Sequence, residues 1–329
     1  MTKRSFFAEF GLSMVGTPFA ISHQENLSEV AEKADAIGFV PHIYMIAQRP
    51  RLTLDPKSIS ITKERIKGIF YAQRRTGPES IPWDVSNPLG VGELKLECEY
   101  PYNAFSLTAP DGRMIGGDVS AVLTSFQPPA LLPESHPALD LEVLYVGQAY
   151  GKEGARSAID RLTRHETLQK IYADANRRSP EMDILIIIWR FNETQLMTFF
   201  PPDTDETQDE SIKANDEHVD QVLKTPISEE HKVNFTEAAL IRYFQPIYNI
   251  RFKDQFPTPE HSSYVECYDA DLNLVAAEIQ MADVNTRIGG PGAAPAFLHF
   301  ATYPLHSKEE RRNMFDFVSH NLLVHGPVL

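Results

Sequence analysis

Cysteine is nearly absent. The 329 residues hold two, Cys98 and Cys267, too few for a disulfide framework or a four-cysteine zinc site. That scarcity fits a reducing compartment, so a cytoplasmic location is expected. Long apolar runs are missing as well: no segment approaches the roughly 18 residues of a spanning helix, which argues against a membrane partner. The apolar stretch near the N-terminus is interrupted by Glu9 and reads as a folded strand rather than a leader. Basic residues are in deficit, 31 Lys and Arg against 45 Asp and Glu, for a net charge of -14. A protein gripping a polyanion usually presents a broad basic footprint, and this balance counts against one. Also lacking are G-x-S-x-G, H-E-x-x-H and C-x-x-C, which leaves serine-hydrolase and zinc-protease chemistry without a foothold. The glycine-rich run from Gly289 to Pro295 has no Lys-Ser/Thr after it and reads as a mobile loop, not a phosphate-binding one.

The chain is 42% hydrophobic, and its length suits roughly two domains of about 150 residues. Charge is segregated along it. Pro201 to Asp220 carries eight acidic residues and one lysine, the composition of a solvated loop or disordered insert. Ser157 to Arg178 is instead basic, with Arg161, Arg164, Lys170, Arg177 and Arg178.

Periodicity predicts helices over Glu25 to Ile37 and over about Thr62 to Arg75, with apolar residues near helical spacing. Between them VPHIYMIA reads as a strand. GELKLECEY alternates as a strand does, Pro-Asp-Gly in SLTAPDGRMIGG marks a hairpin, and Val119 to Ser125 is a further apolar run. A proline-rich segment, Gln127 to Asp140, breaks regular structure and is the nearest thing to a boundary. The centre alternates strand and helix: strand Val143 to Gly147, helix Arg156 to Ala175, strand Ile184 to Phe191, a turn at Asn192-Glu193, strand Gln195 to Phe200, and helix Phe235 to Phe244. After Pro257 come a hairpin around Asp269 to Asn273, the strand FLHFATY, and a helix from Ser307 to Leu323. The expected fold is α/β (α+β), a small central sheet with packed helices in 131–256, acidic insert 201–220 included. Strand-rich segments, 1–130 and 257–329, flank it, and these two are expected to pack together.

Two motifs in the centre carry chemistry: LYVGQAYG from Leu144 to Gly151, and EAALIRYFQPIYNIRFKD from Glu237 to Asp254. Between them, DRLTRHETLQKIY can place Arg161, His165 and Tyr172 on one helical face. Together they resemble the GIY-YIG nuclease superfamily, and the second motif is similar to its excision-repair branch. Tyr145 and Gly147 match the second strand motif, Val146 standing where the family has isoleucine. Arg161 and His165 match the helix pair, with Arg156 as a rival arginine. Glu237 matches the metal ligand, and Asn249, twelve residues on, matches the asparagine. The family's first tyrosine, normally about ten residues before the second, has no counterpart in 135–144, nor in the alternative strand Val119 to Phe126.

The resemblance implies a Mg²⁺- or Mn²⁺-dependent endonuclease, DNA being the more expected substrate than RNA. Tyr145, Arg161, His165, Glu237 and Asn249 would be catalytic, and Gly147, Gln148, Arg156, Arg251 and Lys253 would contact phosphate. The chemistry agrees independently. Phosphodiester hydrolysis needs a hard cation, a cationic side chain and a base, and one carboxylate suffices for Mg²⁺, which keeps most of its waters. Blander readings stand beside these: Glu237 as the N3 residue of a capping box with Asn234, Arg161 and His165 as a solvated helix face, Tyr145 as core, Asn249 as a turn residue. The competing function is a nuclease-like binding module, without the first tyrosine, that docks protein partners.

Overall fold

The near-continuous apolar run Met182–Phe191 forms a strand buried on both faces, inside a sheet of nine strands. The structure, a computed structural model, describes residues 6, 8–125, 136–150, 157–162, 165–191, 195–199, 209–254, 256–259, 261–307, 310–311 and 313–314. The elements up to the sheet's second strand are β1 (Glu9–Ser22), α1 (Leu27–Ala36) and β2 (Ile43–Pro50). An insert follows with β3 (Leu52–Leu54), β4 (Ser60–Ile61), β5 (Arg65–Ala72), β6 (Glu79–Ser86), β7 (Lys95–Glu97), β8 (Ala104–Thr108), β9 (Met114–Asp118) and α2 (Val119–Ser125). The chain returns through β10 (Leu141–Gln148), α3 (Ala158–Leu162), α4 (Glu166–Arg178), β11 (Met182–Phe191), β12 (Gln195–Phe199), α5 (Asp209–Lys224) and α6 (Glu229–Phe244). It ends with α7 (Val265–Asp269), β13 (Leu274–Gln280), β14 (Ile288–Gly290), β15 (Ala293–Ala296) and β16 (Leu298–Pro304).

The strand order is β15-β14-β10-β2-β11-β1-β13-β16, with β12 also on β1. The fold is mixed α/β, and the sheet is larger than the small central one expected, because both flanking segments lend it strands. Strand alternation feeds two cores. Ile43, Met45 and Ala47 join Trp189, Phe235, Leu240 and Phe244 under α6, while Tyr44 and Ile46 join Leu162, Leu168 and Ile171 under α3 and α4. The described residues between β2 and β10 build a third core from Leu54, Ile66, Phe70, Trp83 and Phe105. A separate β body is thus inserted between β2 and β10, two strands that pair directly.

Several expected elements differ. Thr62 to Arg75 holds β5, not a helix: Ile66 and Phe70, four apart, fit either period, and pairing with β3 and β6 decides for strand. Val119–Ser125 is α2, its start capped by Asp118, whose Oδ1 accepts the Ser120 N–H at 2.8 Å. The expected helix Arg156 to Ala175 is two helices, so Arg161, His165 and Tyr172 do not share a face. β11 and β12 both pair antiparallel with β1, Phe191 opposite Gly16 and Gln195 opposite Ser13, so they are not the two paired arms of the hairpin expected. The acidic segment carries α5, docked by Asn215, whose Oδ1 accepts the Ala8 N–H at 2.9 Å. Helix α7 ends at Asp269, where a hairpin around Asp269 to Asn273 was expected, and Gly289 to Pro295 is the β14–β15 hairpin instead of a mobile loop. The turn expected at Asn192-Glu193 and most of the helix expected over 307–323 lie outside the described residues.

Candidate active site

Antiparallel pairing of β2 with β10 sets Tyr44 opposite Gly147 and Ile46 opposite Tyr145, which turns both tyrosines to the face covered by α3 and α4. Their ring centroids lie 6.2 Å apart. A Cβ on Gly147 would stand 2.5 Å from Tyr44 Cζ and Oη and 2.7 Å from Tyr145 Cε1, so only glycine leaves room for both rings.

His165 is the N-cap of α4, with extended backbone (φ -88, ψ 110). Its Nδ1 accepts the Leu168 N–H at 3.1 Å, so the neutral ring carries its proton on Nε2. That nitrogen lies 2.9 Å from Tyr44 Oη and donates to it. Tyr145, and Arg161 on α3, lie close enough to Tyr44 to act on its ionisation. Tyr44 thus bonds His165 on one side and faces the Tyr145 ring on the other, with the Tyr145 and His165 rings 5.2 Å apart. Burial raises the pKa of both hydroxyls, and the nearby Glu237 charge adds to that of Tyr145. Burial, with help from Arg161, lowers that of His165, so the ring stays neutral and its one lone pair is taken by Leu168.

Glu237 lies inside α6, which starts at the N-cap Ser228. The capping-box reading with Asn234 is thereby overturned. Its carboxyl accepts the Gln148 backbone N–H, and burial, partly opposed by Arg161, pushes it up to about 7. Glu237 is close enough to Tyr44 and Tyr145 to influence both. Five side chains, Tyr44, Tyr145, Arg161, His165 and Glu237, thus converge around the Gly147 gap.

Other expected residues have different work. Asn249 is buried; its Oδ1 accepts the Val146 N–H and its Nδ2 donates to the Val146 carbonyl, both at 2.9 Å. The amide takes the place of a neighbouring strand along β10, beyond the reach of β14, and both its polar ends are occupied. It is a structural clamp, not the phosphate or water ligand expected. Gln148 likewise uses its side chain internally, donating to Asn234 Oδ1 at 3.2 Å and accepting the Tyr150 N–H at 3.1 Å, so it joins β10 to α6. Tyr172 sits apart, near Gln24 and Asp183. Arg251 is exposed on the loop after Asn249, and among the described residues no contact ties its side chain or that of Lys253 to the five. Arg156 lies outside the described residues.

Sequence reasoning missed Tyr44. Its signal was present in VPHIYMIA, an apolar strand with Ile-Tyr in it, but the inserted β body displaces it far upstream of Tyr145. The strand proposed in its stead, Val119 to Phe126, is the helix α2 as far as it is described. Among the described residues no three His, Cys, Asp or Glu side chains are grouped to hold a metal. Glu237, a recessed carboxylate with one amide partner and a raised pKa, fits a Mg²⁺ or Mn²⁺ ion that keeps most of its own waters. No family model, no curated protein and no solved structure matches the chain.

Proposed function

We propose that the protein is a metal-dependent endonuclease acting on nucleic-acid phosphodiesters, DNA more than RNA, with a GIY-YIG-like unit of β2, β10, β11, α3, α4 and α6 set in the larger sheet. The observation that carries this reading is Tyr44 against Gly147. It supplies the tyrosine whose absence from 135–144 favours a binding module, and it does so bonded to His165 and facing Tyr145.

Each side chain has a role that the geometry supports. Arg161 offers its guanidinium fork to the phosphoryl oxygens. The proton of the attacking water would pass to Tyr145 as its phenolate, formed by loss of the hydroxyl proton to solvent, with the Arg161 charge and a bound cation offsetting the rise that burial gives its pKa. His165, with no free lone pair, keeps Tyr44 oriented and is not itself the base. Glu237, once ionised, holds the cation, and a bound Mg²⁺ or Mn²⁺ would neutralise charge on the phosphate and leaving oxygens. Gly147 keeps the space between the rings open.

The test is cleavage of labelled single- and double-stranded DNA with Mg²⁺ or Mn²⁺ by the wild type and by Glu237→Gln. Metal-dependent cutting that the substitution abolishes without unfolding the protein is expected. Cutting that survives the substitution, or none by either protein, would contradict the reading.

A further inference from the structure

The segment after α6 is tied to the strand that carries Tyr145. Tyr248 donates its backbone N–H to the Leu144 carbonyl oxygen at 3.1 Å, and Asn249 holds both backbone groups of Val146 at 2.9 Å. Leu144 and Val146 flank Tyr145 in β10. The segment thus runs alongside the site and in the same direction as β10, which heads it toward Gly147. A second anchor follows at once. The Lys253 carbonyl oxygen accepts from Arg242 Nη1 at 2.7 Å and from Gln245 Nε2 at 2.8 Å, and Phe252, with left-handed backbone (φ 68), packs on the core under α6. Only Ile250 and Arg251 stand between the two anchors.

Neither of these side chains is used by the fold. Ile250 is 92% exposed, more than any other large apolar residue described. Arg251 is exposed and has no ion pair or side-chain hydrogen bond among the described residues, whereas nearby Arg242 pairs with Asp254 at 3.7 Å. A single exposed isoleucine is ordinary on a surface; its place distinguishes this one. Its Cα is one peptide step, about 3.8 Å, from that of the asparagine that clamps the Tyr145 strand. Apolar side chains presented in this way enter duplex DNA at a base step and unstack it, and a guanidinium beside them suits the adjoining phosphate. Because the tip is fixed from both ends, little ordering is lost on contact. Charge agrees: with 31 basic against 45 acidic residues, few phosphate contacts are on offer, and an apolar contact is indifferent to net charge.

We infer that Ile250 and Arg251 form a substrate-seating tip, in which Ile250 enters a base step of duplex DNA beside Tyr145 and Arg251 takes the adjoining phosphate, so that the duplex is unstacked next to the bond that is cut. The inference rests on the nuclease reading and adds how that site grips its substrate.

The decisive measurement is the fluorescence of 2-aminopurine, which brightens when unstacked, placed at each step in turn of a short DNA duplex and titrated with Glu237→Gln protein. Binding raises the signal several-fold at one step. Ile250→Ser in that background abolishes the rise and weakens binding about tenfold, and Ile250→Leu keeps both. Arg251→Ala lowers the slope of log affinity against log salt concentration by about one. No rise at any step, a rise that survives Ile250→Ser, or an unchanged slope in Arg251→Ala overturns the tip. Wild-type cleavage is assayed in parallel: cutting that is indifferent to Ile250→Ser removes the tip and leaves the nuclease, whereas an Ile250-dependent rise without any cutting keeps the duplex contact and removes the nuclease.

Discussion

Two clusters of ionisable side chains in this molecule treat burial in opposite ways. The guanidinium of Arg311, which is 2% exposed, is bonded through all three of its nitrogens. Its guanidinium is bidentate to Glu9, donates to the Asp271 carbonyl oxygen and carboxylate at 3.0 Å each, and touches His218 and His306 at 3.3 Å. Asn273 Nδ2 adds a bond to Glu9 at 3.1 Å. Around Tyr44 the chain stops short: Glu237 has one amide and a guanidinium at some remove, and its carboxyl is pushed up to about 7. A densely bonded network ties β1, α5 and Arg311 together. An unsaturated one holds charge in reserve, which is the usual mark of a site awaiting a ligand.

The comparison can be broken first at Arg311. Arg311→Ala strands Glu9 and should cost about 3–5 kcal/mol, as removal of one partner of a buried pair does, seen as a large fall in melting temperature with little change in cleavage per folded molecule. A normal melting temperature would show that the network is not structural. Next is the clamp. Asn249→Ala leaves the Val146 N–H and carbonyl unpaired and should cost about 1–3 kcal/mol for each group left unsatisfied, read from the denaturation midpoint. Asn249→Asp keeps only the acceptor and should rescue it in part; full activity and stability in both variants would refute the structural role. Smaller again is Gly147→Ala, whose Cβ must push the two tyrosine rings apart, at about 1–3 kcal/mol. Its signature is a cleavage loss out of proportion to the lost stability.

The smallest effect sharpens the contrast by pH. Glu237 has a folded pKa near 7, above the ordinary carboxylate value, so the folded protein prefers it protonated. Its favourable share of stability is full below that ordinary value and is lost as pH rises from there through about 7. The melting temperature of the wild type should therefore decline relative to that of Glu237→Gln across this window, and Mg²⁺ should offset the decline in the wild type alone. Parallel pH profiles without metal would contradict the burial of this carboxylate.

Much of this was legible in the sequence where the signal is local. The apolar run of β11, the helices α1 and α6, and the order Tyr145, Arg161, His165, Glu237 could all be read, and the fold brings those four side chains together. What is non-local could not be read. Tyr44 pairs across a whole inserted body, and chain distance hid it. Asn249 bonds a strand 103 residues away, and such a side-chain substitute for a strand leaves no periodic trace. The even spacing of Ile66 and Phe70 suits helix and strand alike, and His165, four residues after Arg161, suggested one helix where a cap between two helices stands.

The central claim is that Tyr44, brought across the insert, completes the site. Its most direct test is the rate of metal-dependent DNA cleavage by Tyr44→Phe, which keeps the ring against Gly147 and removes only the hydroxyl between His165 and Tyr145. A loss of roughly 10²–10⁴-fold, the range for a positioned proton-transfer group, with an unchanged melting temperature, is the predicted result. A variant that cuts as fast as the wild type would contradict the account.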